Sequence, residues 1–259
     1  MERLDKFLAD RTELSRKDVK NSLKNGEAVI NGKIVTDPSF KTDPEKDEII
    51  FRGKKIVFRK NTYLMLNKPD GVVSSTRDGR SETVLSLVPE EMSIKGLFPA
   101  GRLDKDSKGF VFLTDDGELA HRMLSPKKHV AKYYLVRLRD VYDTGYEEKF
   151  EKGLVIDGDE ECLPAVVRGF EEDEHFALVE LHEGKFHQVK RMFASVGNEV
   201  ESLFRTRIGS LDISPELMPG QVLELLNNDV EKILTKKSFE DAYFQVRKSF
   251  WLYLINNKL

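Results

Sequence analysis

Gly101-Arg102-Leu103-Asp104-Lys105-Asp106-Ser107-Lys108-Gly109, running directly into Phe110-Val111-Phe112-Leu113, is the stretch around which the rest of the sequence organises. Four consecutive large apolar residues read as a buried strand, with Gly109 ahead of it and the turn Asp115-Asp116-Gly117 behind. A helix carrying Leu119, Ala120, Met123 and Leu124 follows. Asp104 therefore belongs to a loop fixed to the start of a buried strand, a place where catalytic groups concentrate. Other readings use the same residues. Asp104, Asp106, Lys108, Gly109 and Asp115 fall on positions 1, 3, 5, 6 and 12 of a calcium-loop template, but Lys108 puts a cation where a ligand oxygen belongs. A loop aspartate by default caps a turn. Asp104, Asp106, Asp115 and Asp116 together are also the raw material of a metal-dependent phosphodiesterase.

Working outward, Tyr63-Leu64-Met65-Leu66 opens a domain as a strand and leads into the turn-forming Lys68-Pro69-Asp70-Gly71. Further strands are expected over residues 133–138 and 176–181, with long stretches and separate helices between them, which points to an α+β fold. Val189, Met192, Phe193 and Val196 follow helical spacing and leave Lys190 off the apolar stripe, so spacing alone makes Lys190 a solvated lysine. Tyr134, on the same grounds, is a strand tyrosine half-buried in the sheet.

The first sixty residues form a different module. Leu4, Phe7 and Leu8 recur at i, i+3, i+4, the pattern of an amphipathic helix. Ser15 with Asp18 three residues on is a variant capping box, Val19 and Leu23 are the buried side of the second helix, and Gly26 sits at its C-terminal end. Arg16, Lys20 and Lys24 stack at spacings of four with Lys17 beside them. On spacing alone that stripe is a solvated helix face. Ala28-Val29-Ile30, Asn31-Gly32 and Lys33-Ile34-Val35 then spell a hairpin. The domain junction is expected within residues 54–61.

Bulk properties narrow the class. The 259 residues carry a net charge of −3, a weak argument against a nucleic-acid partner. The distribution qualifies this: residues 1–60 hold 15 Lys+Arg against 11 Asp+Glu, and the remainder 27 against 34. One cysteine, Cys162, excludes an internal disulfide framework and a cysteine-based zinc site. The charged N-terminus is unlike a signal peptide, and no apolar run is long enough for a membrane span, so a soluble cytoplasmic protein with no membrane partner is expected. Among the five histidines no metal-ligand spacing is visible, and His182 and His187 are five apart where a zincin helix needs four. Residues 228–259 are unusually aromatic for a tail, and the stripe Tyr243, Val246, Phe250 predicts one or two helices docked on the protein's own surface with Trp251 substantially buried.

Two resemblances sharpen these readings. Arg3-Leu4-Asp5-Lys6-Phe7-Leu8, Leu14-Ser15-Arg16 and Gly26-Glu27-Ala28-Val29-Ile30-Asn31-Gly32-Lys33 resemble the S4 RNA-binding domain, a small helical module that holds structured RNA. Gly101-Arg102-Leu103-Asp104, the apolar strand and Thr114-Asp115-Asp116-Gly117 resemble the signature of the bacterial ribosomal-RNA pseudouridine synthases. So do Leu66-Asn67-Lys68-Pro69, Lys132-Tyr133-Tyr134-Leu135-Val136, Glu183-Gly184-Lys185-Phe186-His187-Gln188-Val189-Lys190-Arg191-Met192-Phe193, Arg207-Ile208-Gly209 and Pro219-Gly220, all in order. Ser107 departs from the family's usual Thr, and Phe110 and Phe112 from its aliphatics.

The resemblance implies an S4-like domain and linker over residues 1–60, a catalytic domain with a mixed, largely antiparallel sheet over 61–227, and a helical extension over 228–259. It implies that Asp104 is the catalytic carboxylate, as nucleophile or as base at the sugar, that Tyr134 stacks on the target base, and that Lys190 pairs with Asp104 and lowers its pKa. Arg102 would fill the gap left by the extruded uridine. Arg3, Arg16, Lys17, Lys20, Lys24 and Lys33 would contact RNA, with His121 and His129 as further RNA-facing residues. The isomerisation conserves atoms and oxidation state, so no cofactor and no metal is implied. The Ser74-Ser75-Thr76, His121-Arg122 and His187-to-Phe193 segments look most like the branch acting on 16S rRNA at uridine 516. The implied partner is small-subunit rRNA or an assembly intermediate, met by a monomer. Sister enzymes acting on 23S rRNA share the architecture, and a non-catalytic rRNA-binding assembly protein could keep the scaffold.

Overall fold

The computed structural model describes residues 1–12, 14–44, 46–56, 61–125 and 130–259, and the chain divides between Asn61 and Thr62 into two units. Residues 57–60 of the expected junction, and His129, lie outside the described residues.

The first unit runs β1 (Glu2–Arg3), α1 (Leu4–Ala9), α2 (Arg16–Lys24), β2 (Ala28–Ile30), β3 (Lys33–Ile34), β4 (Lys41–Thr42), β5 (Ile49–Phe51) and β6 (Lys54–Ile56). Spacing of three and four buries Leu4, Phe7 and Leu8 completely, against Val19 and Leu23 of α2 and Ala28, Ile30, Ile49 and Phe51 of the sheet. Ser15 caps α2 by accepting from the Asp18 amide. Asn31 and Gly32 both take positive φ, the requirement of the tight turn that pairs Ile30 with Lys33. The strand order is β3-β2-β5-β6, with β1 paired separately to β4.

Part of the expected basic stripe has an internal partner. The Asp5 carboxylate is fully buried, and both Arg3 and Arg16 donate to both of its oxygens at 3.1 Å. Lys20 Nζ lies 3.9 Å away. The hydrogen bond from Arg3, joined by that from Arg16, holds the Asp5 carboxyl far below the usual carboxylate range against the opposing pull of burial. Arg3, Arg16 and Lys20 thus surround a carboxylate while staying about half exposed. Lys17, Lys24 and Lys33 are exposed.

The second unit begins with β7 (Tyr63–Lys68), β8 (Phe98–Pro99), β9 (Lys108–Thr114), α3 (Gly117–Leu124), β10 (Lys132–Leu138) and α4 (Gly145–Glu151). It continues with β11 (Val155–Ile156), β12 (Glu160–Glu161), β13 (Val166–Gly169), β14 (Phe176–Leu181), α5 (Gln188–Ser195), β15 (Val200–Ile208), β16 (Leu211–Asp212) and β17 (Val222–Glu224). It closes with α6 (Asn227–Ile233), α7 (Phe239–Lys248) and α8 (Phe250–Asn257). The main sheet has the order β13-β14-β10-β15-β9-β7-β17, with β16 on β15 and β8 on β9. Every pairing in it is antiparallel except β15 with β9, so the fold is α+β with a mixed, largely antiparallel sheet.

Both faces of this sheet are covered, which is why Phe110 to Leu113 of β9 are apolar without interruption. Phe110 and Phe112 face the core closed by α3 and α6 to α8, whereas Val111 and Leu113 face the core closed by α4 and α5. Between Tyr133 and Tyr134 the β10–β15 register skips Thr206: Tyr133 opposes Arg207 and Tyr134 opposes Arg205. Residues opposed across strands share a face, so this bulge sends the two arginines to opposite sides of the sheet. Arg207 is fully buried on the tail side, salt-bridged to Asp212 and Asp241, with its guanidinium 5.5 Å from the Tyr133 ring centre. Arg205 goes to the side of Tyr134.

The tail forms three helices, not one or two, and it docks as the apolar spacing predicts. Tyr243, Val246, Phe250 and Tyr253 are buried; Tyr243 stacks on Phe170 at 4.8 Å, and the Tyr253 hydroxyl donates to the Ile213 carbonyl. At Gly209, φ is +60° and a Cβ would come within 2.1 Å of the Ile233 carbonyl oxygen, so only glycine lets α6 approach this closely. The expected burial of Trp251 is wrong. The buried stripe runs 243, 246, 250, 253, and Trp251 stands one residue past Phe250, about 100° around the helix, where it is 58% exposed.

These observations predict Trp251 emission near that of free tryptophan and readily quenched by acrylamide in the native protein. Phe250→Ala should cost about 3–5 kcal/mol in urea unfolding, and Trp251→Ala no more than about 0.5 kcal/mol. A blue-shifted, shielded Trp251 would contradict this helix phase. Asp5→Asn should destabilise the first unit by about 1–3 kcal/mol at neutral pH, read as faster hydrogen exchange in α1 and α2. Because the folded carboxyl is depressed, its stabilisation is present above the unfolded value near pH 4 and lost as pH falls further, so the gap between variant and wild type should close in acid.

Candidate active site

The loop bearing Asp104 is held from three sides by groups that contact its backbone and leave its carboxylate alone. Lys68, at the end of β7, is fully buried; its Nζ donates to the carbonyls of Pro69 (3.0 Å), Lys105 (3.0 Å) and Ser107 (2.7 Å). Burial pushes this ammonium down to about 8. Ser74 Oγ accepts from the Leu103 amide and donates to the Leu103 carbonyl. Arg205, only 1% exposed, donates through Nε to the Phe110 carbonyl and through Nη1 to the Arg102 carbonyl. Residues 103 and 105 are thereby pinned on either side of Asp104, whose side chain stays 30% exposed. Such preorganisation of a reactive group by its supports is what catalysis by positioning requires.

The loop enters β9 where β9 runs parallel to β15, with Gly109 opposite Arg205. Gly109 has φ +99°, and a Cβ there would lie 2.5 Å from the Arg205 carbonyl oxygen. Only glycine permits that approach.

Tyr134 sits in β10, directly across from Arg205, 7% exposed and in the same core as Leu103. Arg205 therefore links the tyrosine strand to the aspartate loop. Arg102 is exposed, and its carbonyl is the group Arg205 holds. Lys190 lies in α5, off the Val189, Met192, Phe193 stripe as its spacing predicts. Its partner differs from the expectation. Lys190 Nζ donates to Asp106 Oδ2 at 2.6 Å, and the basic side chain beside Asp104 among the described residues is His187, its Nε2 3.6 Å from Oδ1. Burial raises the Asp106 carboxyl, but the Lys190 hydrogen bond and charge outweigh it and leave the carboxyl lowered.

A cleft of about 700 Å³ opens beside this cluster, lined by Asp106, Arg139, His187, Lys190, Arg191 and Asn198 among others. The four loop carboxylates do not converge. Asp104 and Asp106 precede β9, while Asp115 and Asp116 follow its seven residues, about 20 Å further on. There Asp115 accepts from the Thr62 amide, and Asp116 caps α3 and accepts from the Tyr63 hydroxyl. Among the described residues no group of three or more His, Cys, Asp or Glu is arranged to hold a metal, and no helix is long and apolar enough to cross a membrane. His121 is exposed on α3.

Lys68, Ser74, His187 and Arg205 were not singled out as site residues from the sequence. Arg205 and Arg207 did carry a signal, since two arginines inside Leu203-Phe204-Arg205-Thr206-Arg207-Ile208 must be buried with partners if that run is a strand.

Residues 62–195 match the family model for RNA pseudouridylate synthase. The chain is 44% identical over 231 residues to an uncharacterised RNA pseudouridine synthase of Bacillus subtilis, covering 88% of this chain and 96% of that protein. It is 40% identical to ribosomal small subunit pseudouridine synthase A of Vibrio cholerae, covering 89% of this chain and 99% of the relative. With the Escherichia coli protein of the same name it shares 37% identity, over 90% of this chain and all of the relative. A solved pseudouridylate synthase superposes with a TM-score of 0.63 at 36% identity, covering 90% of this chain and 100% of that one. A clamped, part-exposed aspartate beside a tyrosine strand and a match of this extent have one reading: the chain belongs to the RNA pseudouridylate synthase family.

Proposed function

We propose that this protein isomerises one uridine of small-subunit ribosomal RNA to pseudouridine, in the manner of the enzymes that act on 16S rRNA at uridine 516. The observation that carries the reading is Asp104, a part-exposed carboxylate on a loop whose flanking residues 102, 103 and 105 are held through their backbone by Arg205, Ser74 and Lys68. Support for the small subunit comes from the names of the Vibrio and Escherichia relatives, which match over nearly their whole length.

In the reaction the uridine N1–C1′ bond breaks, the base turns, and a C5–C1′ bond forms; the proton leaving C5 is balanced by one gained at N1. Asp104 serves as nucleophile at C1′ or as base at the sugar. Tyr134 offers its ring to the freed base. Lys190, ion-paired with Asp106, places positive charge in the cleft two residues from Asp104. Arg102, exposed at the loop's edge, takes the place of the extruded base in the stack. Residues 1–60 act as an S4-like RNA-binding domain through Lys17, Lys24 and Lys33, with Arg3, Arg16 and Lys20 adding charge beyond what Asp5 neutralises. Residues 61–227 are the catalytic domain and 228–259 its helical extension. The reading includes a cytoplasmic, monomeric enzyme.

Asp104→Asn is isosteric and leaves every clamp in place. It should reduce pseudouridine formation to below about a tenth of wild type with nearly unchanged RNA affinity. Activity above that level would remove Asp104 from the chemistry. Mapping pseudouridines in rRNA from cells with and without the protein decides the subunit, and loss of a 23S site alone would refute the small-subunit assignment. Deleting residues 1–60 should weaken binding to structured rRNA and flatten its salt dependence while the second unit keeps its own two cores. An unchanged salt slope would contradict the RNA-binding role of the front domain.

A further inference from the structure

The turn before α5 holds an exposed aromatic ring in place with unusual thoroughness. Phe186 is 74% exposed, and one side of its ring stacks on His187 with centres 3.8 Å apart and planes 17° apart. His187 occupies the left-handed region, φ +50°, uncommon for a residue with a Cβ. Its Nε2 lies 3.6 Å from Asp104. The turn itself is locked. Arg191 donates to the Phe186 carbonyl and is itself anchored by Asp157 and Glu160. Gln188 accepts from the Lys185 amide and donates to Glu183.

A large apolar ring kept in water by a rigid turn does not contribute to folding, and its outer face is left for something flat. The adjoining cleft is lined by Arg139, Lys190 and Arg191, each held by carboxylate partners with which a phosphate would exchange. Tyr134, only 7% exposed and inside the core, is a different surface.

Resting on the pseudouridine synthase reading, we propose that the Phe186–His187 pair is a stacking platform for a nucleobase adjacent to the target uridine, setting the strand's position while the uridine enters toward Asp104. Bases of any identity stack on such a ring, so the platform fixes register and affinity and does not choose the base. Phe186 positions substrate and takes no part in bond making.

The test uses full-length protein carrying Asp104→Asn and an rRNA fragment with 2-aminopurine next to the modified uridine. Binding should quench the probe. Phe186→Ala and Phe186→Leu should abolish the quench, and Phe186→Tyr should restore it. In the active protein Phe186→Ala should raise KM about tenfold with the loss falling on KM more than kcat, and Phe186→Tyr should recover it. A quench undiminished in Phe186→Ala, or equal restoration by Leu and Tyr, would overturn the platform. Loss of the quench in Phe186→Ala alongside a wild type that forms no pseudouridine would instead uphold the platform and sink the enzymatic reading.

Discussion

The close parallel approach of β9 and β15 at Gly109 and Arg205 is the constraint on which the site depends. Backbone contact at that point brings the start of β9, and with it the Asp104 loop, beside the middle of β15. The buried guanidinium of Arg205 then ties the Phe110 and Arg102 carbonyls to the strand that faces Tyr134. A buried arginine needs acceptors for its donors, and the Phe110 and Arg102 carbonyls take Nε and Nη1, while Nη2 is buried without a partner among the described residues. The same two strands thus hold most of a buried guanidinium and build a site.

Division of labour between the sheet's faces follows from one skipped residue. Because Thr206 is bulged, Arg205 serves the Tyr134 side and Arg207 the opposite side, where Asp212 and Asp241 neutralise it. Asp241 belongs to α7, so an ion pair beneath the sheet also fastens the C-terminal helices. Those helices close the core that contains Phe110, Phe112 and Phe204. Asn257 of α8 accepts from Asn67 Nδ2, and the Asn257 carbonyl accepts from Lys108 Nζ, so the tail reaches residues adjoining Lys68 and the first residue of β9. Its contribution to the site is mechanical support from behind.

In the first unit one carboxylate plays the corresponding role. Asp5 gathers Arg3, Arg16 and Lys20 around α1 and α2, which draws cations from a helix face that the sequence presents as a plain stripe. The result is a surface with a fixed arrangement of half-exposed cations beside the exposed Lys17 and Lys24.

Sequence alone determined the local elements and pointed to the Asp104 loop as the candidate site. Periodicity located β7, β9, β10, β14 and the apolar stripe of α5, the Asn31-Gly32 pair fixed the hairpin register, and the ordered motifs marked Asp104, Tyr134 and Lys190. These are properties of spacing and turn chemistry, carried by neighbouring residues. Only the tertiary structure decided which charges meet. Lys190 is 84 residues from Asp106 and selects it over Asp104, His187 reaches Asp104 from another element, and Arg205 holds the carbonyls of Phe110 and Arg102, 95 and 103 positions away in the sequence. It also decided that Trp251 faces water, because helix phase is set by which side finds a core and not by how apolar a residue is. Ion pairs and burial are interactions between elements, and their energies depend on distances that folding creates and linear order does not contain.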